Sequence, residues 1–157
     1  MGGAAILFTL GYEGADVAAF IAVLREAGVR LVIDVRAAPY SRKADFTKAR
    51  LQRHLEAAGI AYRHLGGLGN PKPGREAAAA GDAAGYRRIF FRHLASAAAQ
   101  ADLAEAARLV QAGSACLICL EADPDRCHRG LVARRLAAAH GFSVRHLRRD
   151  AQLRLKL

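Results

Sequence analysis

Five short apolar runs, separated by stretches of helical periodicity, dominate the sequence. The runs are rich in Val, Ile, Leu and Tyr, and they span residues 4–10, 29–35, 60–65, 114–121 and 142–147. Runs of this length and composition predict β-strands, and the near-continuous apolarity of three of them indicates burial on both faces of a parallel sheet. Parallel neighbours are joined by crossovers, so the pattern requires helices between the strands.

The stretches between the runs supply those helices. Apolar residues recur at helical spacing from Val17 to Ala27, with Asp16 placed to cap the first turn and Gly28 to end the helix. Further helices are predicted around residues 47–58, 83–97, 100–112 and 124–140, the last ended by Gly141. The Gly-, Pro- and Ala-rich stretch 66–82 is predicted to be a mobile flap or surface loop.

This alternation predicts the α/β class, as a three-layer Rossmann-like domain with a mainly parallel sheet of about five strands. The chain has 157 residues, which suits one domain spanning residues 1–157 and is too short for two of ordinary size. A hydrophobic fraction of 53% with 24% charged residues favours a globular protein and excludes a disordered chain.

The formal charge of +10 favours polyanionic partners, such as nucleic acid or phosphorylated ligands. A solvated basic surface without a selected partner is the alternative. Arginine supplies most of the 24 basic residues and alanine is abundant, a pairing that a GC-rich coding sequence also produces. Charge alone therefore leaves both interpretations open.

The amino terminus has no positively charged residues ahead of its apolar run, and that run is short, so we expect no signal peptide. No apolar stretch is long enough to span a bilayer, and we expect a cytoplasmic protein without a membrane partner. Three cysteines in a reducing compartment favour free thiols over disulfides.

Ligands of open parallel sheets bind beyond the carboxyl ends of the strands. In this sequence the polar residues that follow predicted strands occupy positions 11–14, 36–43, 66–72 and 122–129. We therefore expect the functional chemistry at one edge of the sheet.

The segment CLEADPDRCHRG, residues 119–130, has the densest chemistry of the chain. Asp123 before Pro124 predicts a helix start, and a capping role for Asp123 and Asp125 is favoured over catalysis. Cys127 and His128 lie in the first turn of that helix, where backbone amides and cations favour a reactive thiolate. The alternative makes Cys127 a small packing residue and His128 a hydrogen-bonded histidine.

No metal site and no cofactor are predicted. Cys116 and Cys119 are three residues apart on a strand, so their side chains leave opposite faces and cannot share a tetrahedral ion with Cys127 and His128. The glycines of residues 66–72 lack the spacing of a phosphate-binding or dinucleotide-binding loop. A phosphatase-like loop is also disfavoured, because six residues separate Cys119 from Arg126 and three carboxylates lie among them.

Four segments, TLGYEG, VIDVRAAPYSRK, YRHLGGLGNPK and CLEADPDRCHRGLVA, together resemble the bacterial family catalogued as domain of unknown function 488. The resemblance extends from Thr9 to Leu147. The matching positions are Gly11, Tyr12, Asp34, Val35, Arg36, Pro39, Ser41, Leu68, Gly69, Cys119, Glu121, Cys127, His128 and Arg129. The resemblance implies a Rossmann-like α/β domain and a site, but no particular reaction.

The leading hypothesis is an enzyme with an anion-binding crevice that acts on a phosphate-bearing small molecule, nucleotide or nucleic-acid fragment. Glu121 or Asp34 would act as general base, and Cys127 with His128 would supply the nucleophile and its acid–base partner. The candidate binding residues are Tyr12, Arg36, Ser41, Arg126 and Arg129. Asp34 and Glu121 have an alternative role as structural ion-pair partners of these cations.

Two other functions stay open. A nucleic-acid-binding module would use Arg145, Arg148, Arg149 and the basic tail against backbone phosphates. A rhodanese-like sulfurtransferase would carry a persulfide on Cys119 or Cys127.

Overall fold

One all-parallel sheet of five strands forms the centre of the computed structural model, which describes residues 4–148. The strands are β1 (Ile6–Gly11), β2 (Leu31–Asp34), β3 (Ala61–His64), β4 (Ala115–Cys119) and β5 (Ser143–His146). Their order in the sheet is β3-β2-β4-β1-β5. Every residue of the central strand β4 is buried, as its unbroken apolar run predicts.

Six helices cover the two faces of the sheet. They are α1 (Val17–Glu26), α2 (Lys48–Ala57), α3 (Lys72–Ala79), α4 (Ala83–Leu94), α5 (Ala97–Ala112) and α6 (His128–His140). Helices α1 and α2 bury Phe20, Leu24 and Leu51 against one face, whereas α4, α5 and α6 bury their apolar residues against the other. The predicted three-layer α/β architecture is confirmed.

Local capping explains several of these boundaries. The carboxylate of Asp16 accepts a hydrogen bond from the Ala19 N–H at 2.7 Å and so caps α1, as predicted. Gly141 ends α6 with a φ of 73°, in the left-handed region that favours glycine. None of the helices between residues 4 and 148 has the length and apolar character that a membrane span needs.

Two predicted boundaries are wrong. The stretch 66–82, expected as an irregular flap, contains α3, which begins after Pro71 and runs through an alanine-rich segment of high helix propensity. The helix expected from residue 124 is interrupted, because Pro124–Arg126 forms a separate 3₁₀ turn and α6 begins only at His128. Asp123 caps that turn, and Cys127 occupies the capping position of α6.

The connections place a crevice beside the carboxyl end of β4. The chain after β1 and β2 passes to α1 and α2 on one face, whereas the chain after β4 passes to α6 on the opposite face. Neighbouring strands whose connections diverge in this way leave a crevice between their loops. The polar segment that follows β4 therefore lies where such sheets bind ligands.

Candidate functional site

The loop after β4, residues 120–127, is held tightly against its two neighbouring strands. The Tyr12 N–H donates to the Cys119 carbonyl at 3.1 Å, and the Val35 N–H donates to the Ile118 carbonyl at 3.2 Å. Gly11 lies so close to the Glu121 carbonyl that a Cβ atom would overlap it. These contacts fix the path of the loop, which we call the β4 loop.

The β4 loop returns to the strand from which it leaves. Cys119 ends β4, and the Cys127 sulfur accepts a hydrogen bond from the Arg129 N–H at 3.5 Å at the start of α6. The two sulfur atoms are joined as a disulfide. The prediction of free thiols is therefore wrong for this pair, because the return of the loop brings together residues that are eight positions apart in sequence.

Cys116 is free and fully buried among the apolar residues of the opposite face of the sheet. The prediction that Cys116 and Cys119 leave opposite faces is thus confirmed. Burial raises the pKa of the Cys116 thiol well above its usual value. This cysteine is chemically inert and takes no part in the site.

Arg129 lies beneath the cysteine pair with no exposed surface. Its Nη1 donates to the Cys119 sulfur at 3.1 Å and to the Glu121 carbonyl, and its Nη2 donates to the Ala122 carbonyl at 3.1 Å. The Nε atom is buried without a hydrogen-bond partner. Anion binding by Arg129 stays a prediction that this burial disfavours, whereas its direct contact with a cysteine sulfur is plain.

His128 is oriented by the backbone of the residue that follows β2. Its Nε2–H donates to the Val35 carbonyl at 2.6 Å, which leaves the Nδ1 lone pair facing the Cys127 sulfur at 3.8 Å. Burial lowers the pKa of His128 to about 4, so the imidazole is neutral at neutral pH. A neutral ring with this tautomer can accept a proton or bind a metal ion through Nδ1.

Glu121 faces the same sulfurs from the β4 loop. Its carboxyl oxygen lies 3.7 Å from the Cys119 sulfur. Burial raises the pKa of Glu121 above its usual value. Within residues 4–148 this carboxyl group has no salt bridge, unlike Asp34, so the ion-pair alternative does not describe Glu121.

Asp34 forms a buried ion pair instead. Arg36 donates from Nε to one carboxylate oxygen at 2.9 Å and from Nη2 to the other at 2.7 Å, and the Tyr62 hydroxyl also donates to Asp34, at 2.6 Å. Nη1 of Arg36 is taken by the Phe46 carbonyl at 2.7 Å. The structural alternative thus accounts for Asp34, and its role as a general base stays a prediction that this pairing disfavours.

Of the other predicted binding residues, Tyr12 and Arg126 each line one of two cavities at the crevice, whereas Ser41 lines neither. Tyr12 is buried, and its ring stacks on Phe46 with centroids 4.4 Å apart. Ser41 accepts a hydrogen bond from the Lys43 N–H at 3.1 Å within its own loop and does not line the crevice. Arg126 is exposed on the 3₁₀ turn that precedes Cys127.

Two cavities open on either side of the cysteine pair. The first, which we call the Tyr12 cavity, has a volume of about 360 Å³ and contacts Cys119; the exposed ring of Tyr40 lies on its wall. The second, the Tyr86 cavity, has a volume of about 510 Å³ and contacts Cys127. Both are lined by Asn70, Glu121 and His128. The disulfide therefore lies in the wall between two adjoining cavities.

Several lining residues were not singled out from the sequence. Asn70 has a buried Oδ1 without a hydrogen-bond partner, and Arg75 and Arg87 line the Tyr12 and Tyr86 cavities respectively. Burial raises the pKa of Tyr86 to about 12. Asn70 lies between a glycine-rich stretch and Pro71, a pattern that predicts a loop and could have indicated this position. Nothing in the spacing of Tyr86 or Arg87 indicates that they line the crevice.

Three potential metal ligands also converge at this point. One side-chain atom from each of Cys119, Glu121 and Cys127 lies within 4.8 Å of the other two. Glu121 completes this group in place of Cys116, which lies on the opposite face of the sheet. The convergence depends on the fold of the β4 loop.

Comparison with known proteins places the chain in one family. No curated protein matches the sequence, and no solved structure matches the fold. The model of a single protein family matches residues 16–136, which include β4, both paired cysteines and most of α6.

Proposed function

The chain belongs to the family described as domain of unknown function DUF488. From that premise we propose that this member is an enzyme whose reactive centre is the Cys119–Cys127 pair. The observation that carries the proposal is the position of both sulfurs in a crevice wall, with the guanidinium of Arg129 donating to Cys119 at 3.1 Å. Cys119 has a neighbouring cation and Cys127 lies at a helix start, and both settings are typical of reactive thiols.

The two cysteines have different roles in this proposal. Cys127 contacts the larger Tyr86 cavity and lies at the start of α6, where the helix dipole favours a thiolate, so Cys127 is the nucleophile. Cys119 is the resolving thiol, and Arg129 stabilises it as a thiolate. Neutral His128 accepts a hydrogen bond from the Cys127 thiol at Nδ1 and orients it, and the thiol proton passes to solvent.

A second thiol within bonding reach favours a substrate with electrophilic sulfur. The Cys127 thiolate attacks the outer sulfur of a donor such as thiosulfate; a new S–S bond forms, and sulfite leaves with the electron pair of the broken bond. The Cys119 thiolate then attacks the Cys127 sulfur, which forms the disulfide and expels the transferred sulfur as hydrosulfide after protonation. Two equivalents of a small-molecule thiol reduce the disulfide and restore the centre.

The charge of the substrate is inferred from two arginines of the Tyr86 cavity. Arg87 and Arg126 line this cavity, and within the described part of the chain neither side chain forms an ion pair or donates a hydrogen bond. Free guanidinium groups suit oxyanions. In this proposal Arg126 keeps its predicted role in anion binding, and Arg87 takes the place of the buried Arg36 and Arg129.

The test supplies thiosulfate to the reduced protein and follows the cysteines by mass spectrometry. We expect the Cys119→Ser variant to gain one sulfur atom on Cys127, and the wild type to form the disulfide and release sulfide. The Cys127→Ser variant should do neither, whereas Cys116→Ala, which removes the buried third thiol, should match the wild type. An unmodified Cys119→Ser variant together with a wild type that releases no sulfide would refute the proposal.

A phosphate-bearing substrate is the second candidate, and the same Arg87 and Arg126 favour it. A thermal-shift screen of nucleotides and sugar phosphates tests this class, since a ligand of the native state raises the melting temperature. We expect the shift to shrink in Arg87→Gln and Arg126→Gln and to persist in Arg108→Gln, whose side chain pairs with Glu105 elsewhere on the surface. No shift with any phosphate compound would remove this candidate.

The nucleic-acid-binding alternative stays a prediction. Arg145 and Arg148 are exposed in and after β5, while Arg149 and the basic tail lie outside the described residues. No observation at the crevice favours this alternative.

A further inference from the structure

The buried guanidinium of Arg129 has no direct ion pair in the disulfide form, and the carboxylates of Glu121 and Asp123 act on it only at longer range. Its hydrogen-bond acceptors are two neutral carbonyls and a sulfur atom, and its Nε has no partner. Among residues 4–148 no carboxylate forms a salt bridge with it. Because an isolated buried cation is costly, this pocket suits a state of the site that carries negative charge.

The groups that can supply this negative charge are also metal ligands. The ligand atoms of Cys119, Glu121 and Cys127 lie within 4.8 Å of one another. Tetrahedral zinc has bonds of about 2.0–2.3 Å, which place its ligands roughly 3.3–3.8 Å apart. Small side-chain rotations after reduction of the disulfide therefore suffice to bring the three atoms onto one ion.

His128 lies beside this group of three without belonging to it, and it is the candidate for the fourth ligand. Its Nδ1 lies 3.8 Å from the Cys127 sulfur, a separation expected for two ligands of one ion. Its Nε2–H is fixed by the Val35 carbonyl at 2.6 Å, which is the usual outer-sphere partner of a metal-binding histidine. The set of two sulfurs, one oxygen and one nitrogen suits a tetrahedral divalent ion of zinc type.

The charges of the complete site balance. Two thiolates and one carboxylate carry three negative charges, and a divalent cation together with Arg129 carries three positive charges. A hydrogen bond from Nη1 to a metal-bound Cys119 thiolate would keep its present geometry. The buried guanidinium thus acquires the counter-charge that the disulfide does not offer.

We propose that the reduced protein binds one Zn²⁺ through Cys119, Glu121, Cys127 and His128, and that oxidation of the cysteine pair releases the ion. A peroxide is a sufficient oxidant: two thiolates give two electrons to its O–O bond, the disulfide forms, and two protons complete the two water molecules or alcohols. The proposal rests on the reversible cysteine pair assigned above, and it makes that pair a redox-controlled metal site.

The experiment titrates the reduced protein anaerobically with Co²⁺, a spectroscopic substitute for zinc, and then displaces it with Zn²⁺. We expect one equivalent of tetrahedral cobalt with sulfur-to-metal charge-transfer absorption, and loss of that absorption on addition of Zn²⁺. The disulfide form of the same wild-type chain should give no such spectrum, which serves as a control free of any mutational effect on folding.

Variants assign the ligands. Cys119→Ser and Cys127→Ser should weaken Co²⁺ binding by more than the roughly 100-fold that loss of an outer-sphere partner costs, and Glu121→Gln and His128→Ala should shift the spectrum. Cys116→Ala should bind as the wild type does. Equal binding by the reduced and disulfide forms, or by Cys127→Ser and the wild type, would overturn the metal site.

The cobalt titration and the thiosulfate experiment can fail independently of each other. A protein that binds Co²⁺ in this way but leaves thiosulfate intact retains the metal site and loses the sulfur chemistry. A protein whose Cys127 takes up sulfur but whose reduced form gives no cobalt spectrum retains the enzyme and loses the metal site.

Discussion

At the scale of single residues, two buried arginines hold the site in different ways. Arg36 is neutralised by Asp34, with two hydrogen bonds from its guanidinium to the carboxylate. Arg129 is held by backbone carbonyls and a cysteine sulfur. The first is a stable structural pair, whereas the second depends on the oxidation state of the cysteines beside it.

Asp34→Asn should destabilise the protein strongly without a specific effect on the cysteine centre. Removal of one partner leaves the charge of Arg36 buried and unpaired, which costs about 3–5 kcal/mol. Urea unfolding measures this loss. Arg134→Ala is the control, because it breaks an exposed pair with Asp125 and should cost less than about 1 kcal/mol.

Arg129→Met should widen the difference in stability between the oxidised and reduced protein. A disulfide that closes a loop of this size stabilises by about 2–3 kcal/mol in the chain-entropy account. In the wild type, reduction also gives Arg129 a thiolate partner, so we expect a smaller difference. Unfolding curves with and without reductant measure both differences; a narrower gap in Arg129→Met would contradict the proposed role of Arg129.

At the scale of elements, the site depends on close contact between the ends of β1 and β4. The carbonyl of Glu121 occupies the space where a side chain of residue 11 would lie, so glycine is required there. This contact directs the β4 loop back toward Cys119. The edge strand β5 is attached to β1 on its other side, where His146 contacts Thr9.

Gly11→Ala should move the β4 loop. We expect a loss of about 1–3 kcal/mol from overpacking, together with slower reaction of Cys127 with a sulfur donor. Urea unfolding and donor kinetics measure the two effects. Gly113→Ala is the matched control, since a Cβ there meets no atom within 4 Å; equal behaviour of the two variants would argue against the steric role of Gly11.

His146 should make the attachment of β5 sensitive to acid. Burial is the main cause that lowers the pKa of His146 in the folded protein. As the pH falls through about 6.5, the unfolded chain therefore binds more protons than the folded chain does, and the free energy of unfolding falls. His146→Asn keeps an acceptor near the Thr9 hydroxyl but cannot titrate, and it should lose less stability than the wild type between about pH 7 and pH 5. Unfolding curves at both pH values provide the check. The charged groups that act on the ring are Arg129, Asp125, Arg148 and Arg134.

At the scale of the whole molecule, the fold was predictable because its signals are local. Runs such as residues 114–121 show burial directly, and the cap at Asp16 and the stop at Gly141 follow from single residues. Helix α3 was missed because Gly74 and the neighbouring prolines suggest a loop, although alanines fill the rest of the helix.

The site was only partly predictable because it depends on contacts between distant segments. Strand-end rules placed Glu121, Cys127 and His128 correctly at the crevice. The pairing of Cys119 with Cys127 and the burial of Arg129 follow from the path of the β4 loop against Gly11, and no local pattern encodes that path. For the same reason Arg87 was missed, and the predicted binding residues combined the unpaired side chain of Arg126 with the structural Arg36 and Arg129.

The charge of +10 belongs to the whole molecule as well. We expect any binding to duplex DNA to be non-specific, with equal affinity for unrelated sequences and a steep loss of affinity between about 50 and 200 mM salt. Fluorescence anisotropy with two duplexes measures this. Binding that selects one sequence and withstands salt would instead support a nucleic-acid-binding module.

Because Cys119 and Cys127 line different cavities, the proposed enzyme would offer separate places to an oxidising and a reducing compound. The donor would reach Cys127 from one cavity and the reducing thiol would reach Cys119 from the other, so neither would have to depart before its counterpart arrives. Because the donor oxidises the pair without help from the reducing thiol, double-reciprocal lines should be parallel, but neither compound should inhibit competitively at high concentration. Mutual competitive inhibition at high concentration would instead indicate a centre that both compounds reach through one entrance.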